Sequence, residues 1–183
     1  MFNNLTLPKY SEIAKFDGKG NWAVKKYYQW PYRPFYRHKL KMALDLIQHE
    51  RFNNILDYGC GPGILTPELR MRGKKLMSID KFENIDQRWK FDLIVCSSVL
   101  EFLDISDLRI KMSLFNSLLD KGGTLLIASP METKLTDIYF NVIGDNNYRQ
   151  SHGTILYEAS KYFKLIKKKF WMNLYFAARL VKK

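Results

Sequence analysis

From Phe52 onward the chain alternates short apolar runs with longer segments of mixed polarity, a pattern of strands joined by helices. An apolar run through Ile55 and Leu56 closes on Asp57, and Lys75 to Asp80 (K-L-M-S-I-D) is a second short run ending in an acid. Phe91 to Ser97 (F-D-L-I-V-C-S) is nearly all apolar, as a strand covered on both faces should be. Gly122 to Ser129 (G-G-T-L-L-I-A-S) repeats that character. Tyr162 to Trp171 and Leu174 to Val181 are strand-like and separated only by Met172 and Asn173, which predicts an antiparallel hairpin with a two-residue connection. Upstream, Leu40, Met42, Ala43, Leu44, Leu46 and Ile47 fall at helical spacing and predict a helix from Phe35 that packs on the sheet. Tyr27 to Tyr36 (Y-Y-Q-W-P-Y-R-P-F-Y) is excluded as a regular helix by Pro31 and Pro34.

The first strand breaks into glycines at 59, 61 and 63. Glycines accept backbone angles closed to other residues and let a ligand approach the main chain, so this turn has the makings of a nucleotide site. A dinucleotide fingerprint from Gly59 would need a third glycine at 64, which is Ile64. A triphosphate loop would need Gly-Lys-Ser/Thr, whereas this turn runs Gly63, Ile64, Leu65, Thr66. The remaining pattern, D-x-G-x-G-x-G from Asp57, resembles the first motif of the class I S-adenosylmethionine-dependent methyltransferases.

The resemblance covers about 52–183 and extends to the order of the later motifs. Ser98 to Leu103 (S-V-L-E-F-L) is similar to the family's segment after its fourth strand, with Phe102 where histidine is common, and the paired glycines at 122 and 123 are similar to the entry of its fifth strand. It implies a Rossmann-like α/β fold, a mostly parallel sheet flanked by helices with a C-terminal antiparallel hairpin. It also implies S-adenosylmethionine as cofactor, held at its methionine end by Asp57, Gly59, Cys60, Gly61 and Gly63 and at its ribose by Asp80, with Lys81, Phe82 and Ser97 completing the contacts. One stretch departs from the pattern. Only ten residues separate Asp80 from Phe91, where the family fits a helix and a third strand. Ten extended residues, at about 3.3 Å each, carry a chain back across a sheet and no more, so the third strand is expected to be missing or vestigial. The adenine contacts are then left to Phe82, Ile85 and Asp86.

Composition fits one domain over 1–183, with 1–50 as a basic, aromatic cap and first helix and 51–183 as the cofactor-binding core. No apolar run approaches the roughly 20 residues of a membrane span, and Met1 is not followed by a charged-then-apolar export signal. Cys60 in the glycine turn and Cys96 on an apolar strand look like reduced, cytoplasmic usage, and the scattered His38, His49 and His152 form no metal pattern. The net charge of +12 is uneven: residues 161–183 carry eight Lys/Arg and no Asp/Glu, while 51–160 are close to neutral. An anionic partner would therefore meet the ends of the chain, including an anionic membrane surface that the protein touches peripherally. Lys164 and Lys167 to Lys169 also serve to protect an edge strand from aggregation.

An acceptor pocket is expected from the insert at about 130–153, with His152, Tyr148 and Glu101 as candidate proton-handling groups. Tyr32, Arg33, Tyr36 and Arg37 are candidates for closing over the site. The reading that follows is a methyltransferase acting on a small molecule or a lipid or glycan precursor. The alternatives are an RNA or protein methyltransferase, favoured by charge alone, and a non-catalytic cofactor-binding subunit. Ser97-Ser98-Val99-Leu100 stands where enzymes that methylate base amines carry an Asp/Asn-Pro-Pro-Tyr-like motif, so nucleic acid is not the favoured partner.

Overall fold

The computed structural model of the protein describes residues 5–13, 25–30, 32–80, 85–143 and 150–183. Its strands are β1 (Phe52–Tyr58), β2 (Gly73–Ile79), β3 (Phe91–Ser97), β4 (Leu119–Pro130), β5 (Phe163–Trp171) and β6 (Tyr175–Lys182). They form one sheet in the order β2-β1-β3-β4-β6-β5. The first four are parallel, β6 runs antiparallel to β4, and β5 closes the edge antiparallel to β6. The helices are α1 (Tyr10–Ile13), α2 (Arg33–Leu44), α3 (Thr66–Arg70), α4 (Ile105–Leu118), α5 (Lys134–Ile143) and α6 (His152–Ser160).

Successive strand residues point to opposite faces, and here both faces are covered. Ile55, Leu93, Val95 and Leu126 pack with Leu40, Ala43 and Leu44 of α2 and Leu69 of α3. Their neighbours Leu56, Ile94, Leu125 and Ile127 pack with Leu108, Met112 and Phe115 of α4 and Ile155 of α6. This explains the near-continuous apolar character of β3 and β4. Each fully buried Leu or Phe contributes about 1.5–3 kcal/mol relative to exposure. Polar side chains set the helix starts: Asp104 Oδ1 accepts from the Asp107 amide at 2.8 Å, and Ser151 Oγ accepts from the Thr154 amide at 3.1 Å.

Several boundaries differ from the sequence expectation. α2 begins at Arg33 rather than Phe35, because Pro34 falls in its first turn, where no amide hydrogen bond is lost. β2 starts at Gly73. β4 starts at Leu119, and its pairing jumps from Phe91↔Leu119 to Leu93↔Thr124 as a bulge with Gly122 at φ 74°. The hairpin connection is three residues, since Trp171 pairs with Tyr175, and Met172 and Asn173 both take left-handed angles.

β2 is an outer strand of the sheet, and along the chain no strand lies between it and β3 among the described residues. Residues 81–84 lie outside the described residues; 85–90 hold a single turn at Gln87 and Arg88. Asp92 then fastens the start of β1, its carboxylate accepting from the amides of Asn53 and Asn54 at 2.6 and 2.9 Å.

Candidate functional site

All four parallel strands end at the same edge of the sheet, and the chemistry gathers there. Asp57, next to last in β1, is 3% exposed, and burial pushes its carboxyl up from 3.8 to about 7. Its Oδ2 is buried and accepts no hydrogen bond from the described residues. A buried acceptor of this kind is costly unless a donor arrives.

The glycine turn that follows lies against it. Gly59, Gly61 and Gly63 have φ of 73°, 49° and 77°. A Cβ on Gly59 would stand 2.2 Å from Val99 Cγ2, so that position is closed by space as well as by angle; around Gly61 there is nothing within 4 Å. The amides of Gly59 and Cys60 both donate to the Ile79 carbonyl, at 2.9 and 3.1 Å. This fastens the turn to the end of β2 and puts Asp80, exposed and next in sequence, beside it. Lys81 and Phe82 lie outside the described residues.

The adenine expectation for Asp86 needs correction. The chain has already crossed to the opposite edge by that point, where Asp86 lines a surface cleft with Asn54 and Lys75, near the starts of β1 and β2. Its carboxylate is engaged by Arg88, whose Nε donates to Oδ2 at 2.8 Å. Ile85 packs partly onto the core on the α4 side.

The end of β3 forms the next part of the site. Ser97 is half-buried, and Ser98 takes a left-handed φ of 57° with its amide donating to the Ala128 carbonyl at 2.8 Å. Glu101, 1% exposed, follows in a single 3-10 turn (Leu100–Phe102), and its carbonyl accepts from the Gln150 amide at 3.2 Å. That contact brings the start of α6 to the same corner. The His152 ring there packs 5.7 Å from Phe176, which pairs in register with Ser129. His152 Nδ1 and Ser129 Oγ are both buried without a hydrogen-bond partner among the described residues. Glu101 and His152 are thus brought together. Tyr148 lies outside the described residues.

Of the residues proposed to close the site, Tyr36 is buried at 5% and Arg37 Nε donates to the Tyr27 carbonyl at 3.2 Å, while Arg33 is exposed. Tyr32 lies under the Lys26 ammonium, 5.1 Å from its ring centroid. Two polar residues went unnoticed in the sequence. Ser129 is a small polar residue closing an apolar strand, with no signal of its own. Lys39 had one: it stands three residues after Tyr36 and four before Ala43, on the apolar stripe of α2, and is 3% exposed. Among the described residues, no group of three His, Cys, Asp or Glu side chains is placed to hold a metal.

This arrangement, an unpaired buried carboxylate beside a left-handed glycine turn with an acid at the end of the neighbouring strand, fits a cationic nucleoside. Comparison with known proteins agrees in fold. The chain is similar to the N-methyltransferase NodS from Bradyrhizobium japonicum WM9 in complex with S-adenosyl-L-homocysteine, at 17% identity and TM-score 0.67, covering 94% of this chain and 97% of that one. It is also similar to magnesium protoporphyrin IX methyltransferase (ChlM) from Synechocystis PCC 6803 with bound S-adenosylhomocysteine, at 12% identity and TM-score 0.64, covering 94% and 98%. No curated protein matches. The family described as "Methyltransferase domain" matches residues 28–161, which spans the glycine turn, all four parallel strands and the polar corner. The chain therefore belongs to the methyltransferase-domain family, as a class I S-adenosylmethionine-dependent methyltransferase.

Proposed function

We propose that the protein methylates a small molecule, or a lipid or glycan precursor, at the carboxyl edge of its sheet. The observation that carries the cofactor half is the orphaned Oδ2 of Asp57 beside three left-handed glycines. In this reading Asp57 and the turn backbone receive the ammonium end of the cofactor and Asp80 its ribose diol, with Cys60, Lys81, Phe82 and Ser97 lining the remainder. S-adenosylmethionine supplies a methyl carbon already activated by sulfonium, so positioning accounts for much of the catalysis. A base matters only for a protonated acceptor, and His152, whose Nδ1 is buried with no hydrogen-bond partner among the described residues, is our candidate to take that proton.

The lipid side of the acceptor range draws support from the surface around the site. Met172 at the hairpin tip and Ile138 on α5 are each 61% exposed, and Phe170 is 46% exposed. Thr133 and Thr136 both donate to the Asn173 carbonyl, at 2.8 and 3.2 Å, which joins α5 and the tip into one platform. Exposed Lys168 stands close to it on the edge strand, with exposed Lys167 before it, while Lys169 is paired with Asp45. An apolar tip with lysines alongside suits an anionic membrane surface approached from the cytoplasm. Among the described residues no helix is long and apolar enough to cross a membrane.

Calorimetry with S-adenosylmethionine and S-adenosylhomocysteine tests the cofactor half. Micromolar binding by the wild type, lost in Asp57→Ala, is expected; a wild type that binds neither would sink the reading.

A further inference from the structure

The two outer strands of the sheet are built differently. β5 carries Lys164 and Lys167 to Lys169, and its pairing with β6 shifts register between Leu165 and Lys167. Lysines together with a bulge keep a strand edge from recruiting another chain. β2 has no such shift: its register with β1 runs evenly from Phe52↔Gly73 to Tyr58↔Ile79. Among the described residues β2 pairs with β1 alone, so alternate amides and carbonyls between Lys74 and Ser78 turn outward with no strand to meet them.

The side chains along this edge are those of a strand with sheet on one side only. Leu76 and Met77 point to opposite faces, one against the α2 side of the core and the other against the α4 side, and both are only partly buried. Lys75 shares the α4 side with Met77 and lines a surface cleft of about 530 Å³ with Asn54, Trp89, Lys90 and the Asp86–Arg88 pair. Trp89 is 50% exposed there. A strand added to an open edge takes its affinity from main-chain hydrogen bonds and its specificity from pockets for alternate side chains. β2 offers the first and this cleft the second.

Charge selects the occupant. Lys74 and Lys75 are exposed, and β2 itself contains no acid. In the cleft Lys90 Nζ donates to the carbonyls of Ser117 and Gln87, at 2.6 and 3.4 Å, and pairs with no carboxylate among the described residues. A second copy of the chain would bring two Lys74–Lys75 pairs onto one short ladder, and like charges across a ladder are unfavourable. An extended segment with acids at alternate positions meets the same lysines favourably.

We propose that the open edge of β2 docks an acidic extended segment of a partner protein as a further strand, with the cleft beside Trp89 taking one of its side chains. The Ile79 carbonyl, at the end of this strand, accepts from the Gly59 and Cys60 amides. The partner therefore lies along the strand that fastens the glycine turn.

The test titrates isotope-labelled protein by NMR with a heptapeptide alternating glutamate and valine, with the same peptide N-methylated at alternate amides, and with a lysine–valine counterpart. Amide shifts centred on 74–78, slowed exchange at alternate amides there and movement of the Trp89 indole resonance are expected with the first peptide only. Changing Lys74 and Lys75 together to Gln should weaken that peptide about three- to tenfold. Both side chains are exposed, so the double variant keeps the fold. No shift at β2 with millimolar peptide, or equal binding of the N-methylated or the lysine peptide, overturns the proposal. Protection of the same amides in the protein alone also overturns it; sedimentation then assigns the edge to a second copy if the protein dimerises, and to the chain itself if it does not. None of these readings needs the cofactor, so they stand or fall apart from the function proposed above.

Discussion

The end of β1 and the middle of α2 each bury a charge, and the molecule treats the two differently. Around Asp57 desolvation is uncompensated, so its carboxyl is held near neutrality at about 7. Around Lys39 three aromatic rings and one hydroxyl are supplied in advance. The contrast is between two ways of housing an ionisable group away from water. In the function proposed above Asp57 ionises when a cation arrives, whereas the rings and hydroxyl already stand around Lys39.

The largest destabilisation that would break this comparison is at the turn beside Asp57. Gly59→Ala drives a Cβ to 2.2 Å from Val99 Cγ2 at φ 73°, so combined clash and backbone strain should cost roughly 3 kcal/mol. Gly61→Ala meets nothing within 4 Å and should cost only the backbone term, about 1 kcal/mol. Chemical denaturation measures both, and equal losses would show that the packing of the turn against Val99 is not what fixes it.

Of similar size but opposite sign is the effect of removing the stability cost of Asp57 itself. Its folded pKa lies above its unfolded value, so the folded state holds a proton that the unfolded chain releases between about pH 4 and 7. Stability from this group therefore falls as pH rises through that window and levels off above it. Asp57→Asn should flatten the slope, with a gain approaching roughly 4 kcal/mol at pH 8 in the free protein. A melting series from pH 4 to 8 reads it directly; parallel curves for the two proteins would contradict the burial account.

Smaller effects are expected at the edge strand. Changing Lys164, Lys167 and Lys168 to Gln should weaken binding to phosphatidylserine vesicles by about fivefold per lysine while leaving cofactor affinity alone. Salt-independent vesicle binding, or none, would confine these lysines to protecting the edge.

The glycine turn, the alternation of strands and the terminal hairpin were legible in sequence because each is a local pattern: three glycines at fixed spacing, apolar runs of strand length, two runs with almost nothing between. The shortened crossing from Asp80 to Phe91 was legible too, since chain length alone forbids a helix and a strand there. Asp86 was misplaced for a related reason. Residue count says that the chain must cross the sheet, but not where along the crossing each side chain falls, and Asp86 had already reached the far edge. Lys39 was hidden because its cage is assembled from Tyr27, Tyr36 and Tyr175, three separate parts of the chain, and a lysine at apolar spacing in a helix reads as a solvated interruption. The polar corner was visible through Glu101 and His152, but Ser129 joins it only through strand register with Phe176.

The central claim is that Asp57 must be ionised to hold the cofactor. Calorimetry of S-adenosylhomocysteine binding from pH 5.5 to 8.5 tests it, run in buffers of differing ionisation enthalpy so that proton release is counted. The account expects affinity to rise by up to tenfold per pH unit below about 7 and then level off, with protons released on binding at low pH and the dependence absent from Asp57→Asn. Binding that is flat across this range in the wild type, or that persists unchanged in Asp57→Asn, would contradict it.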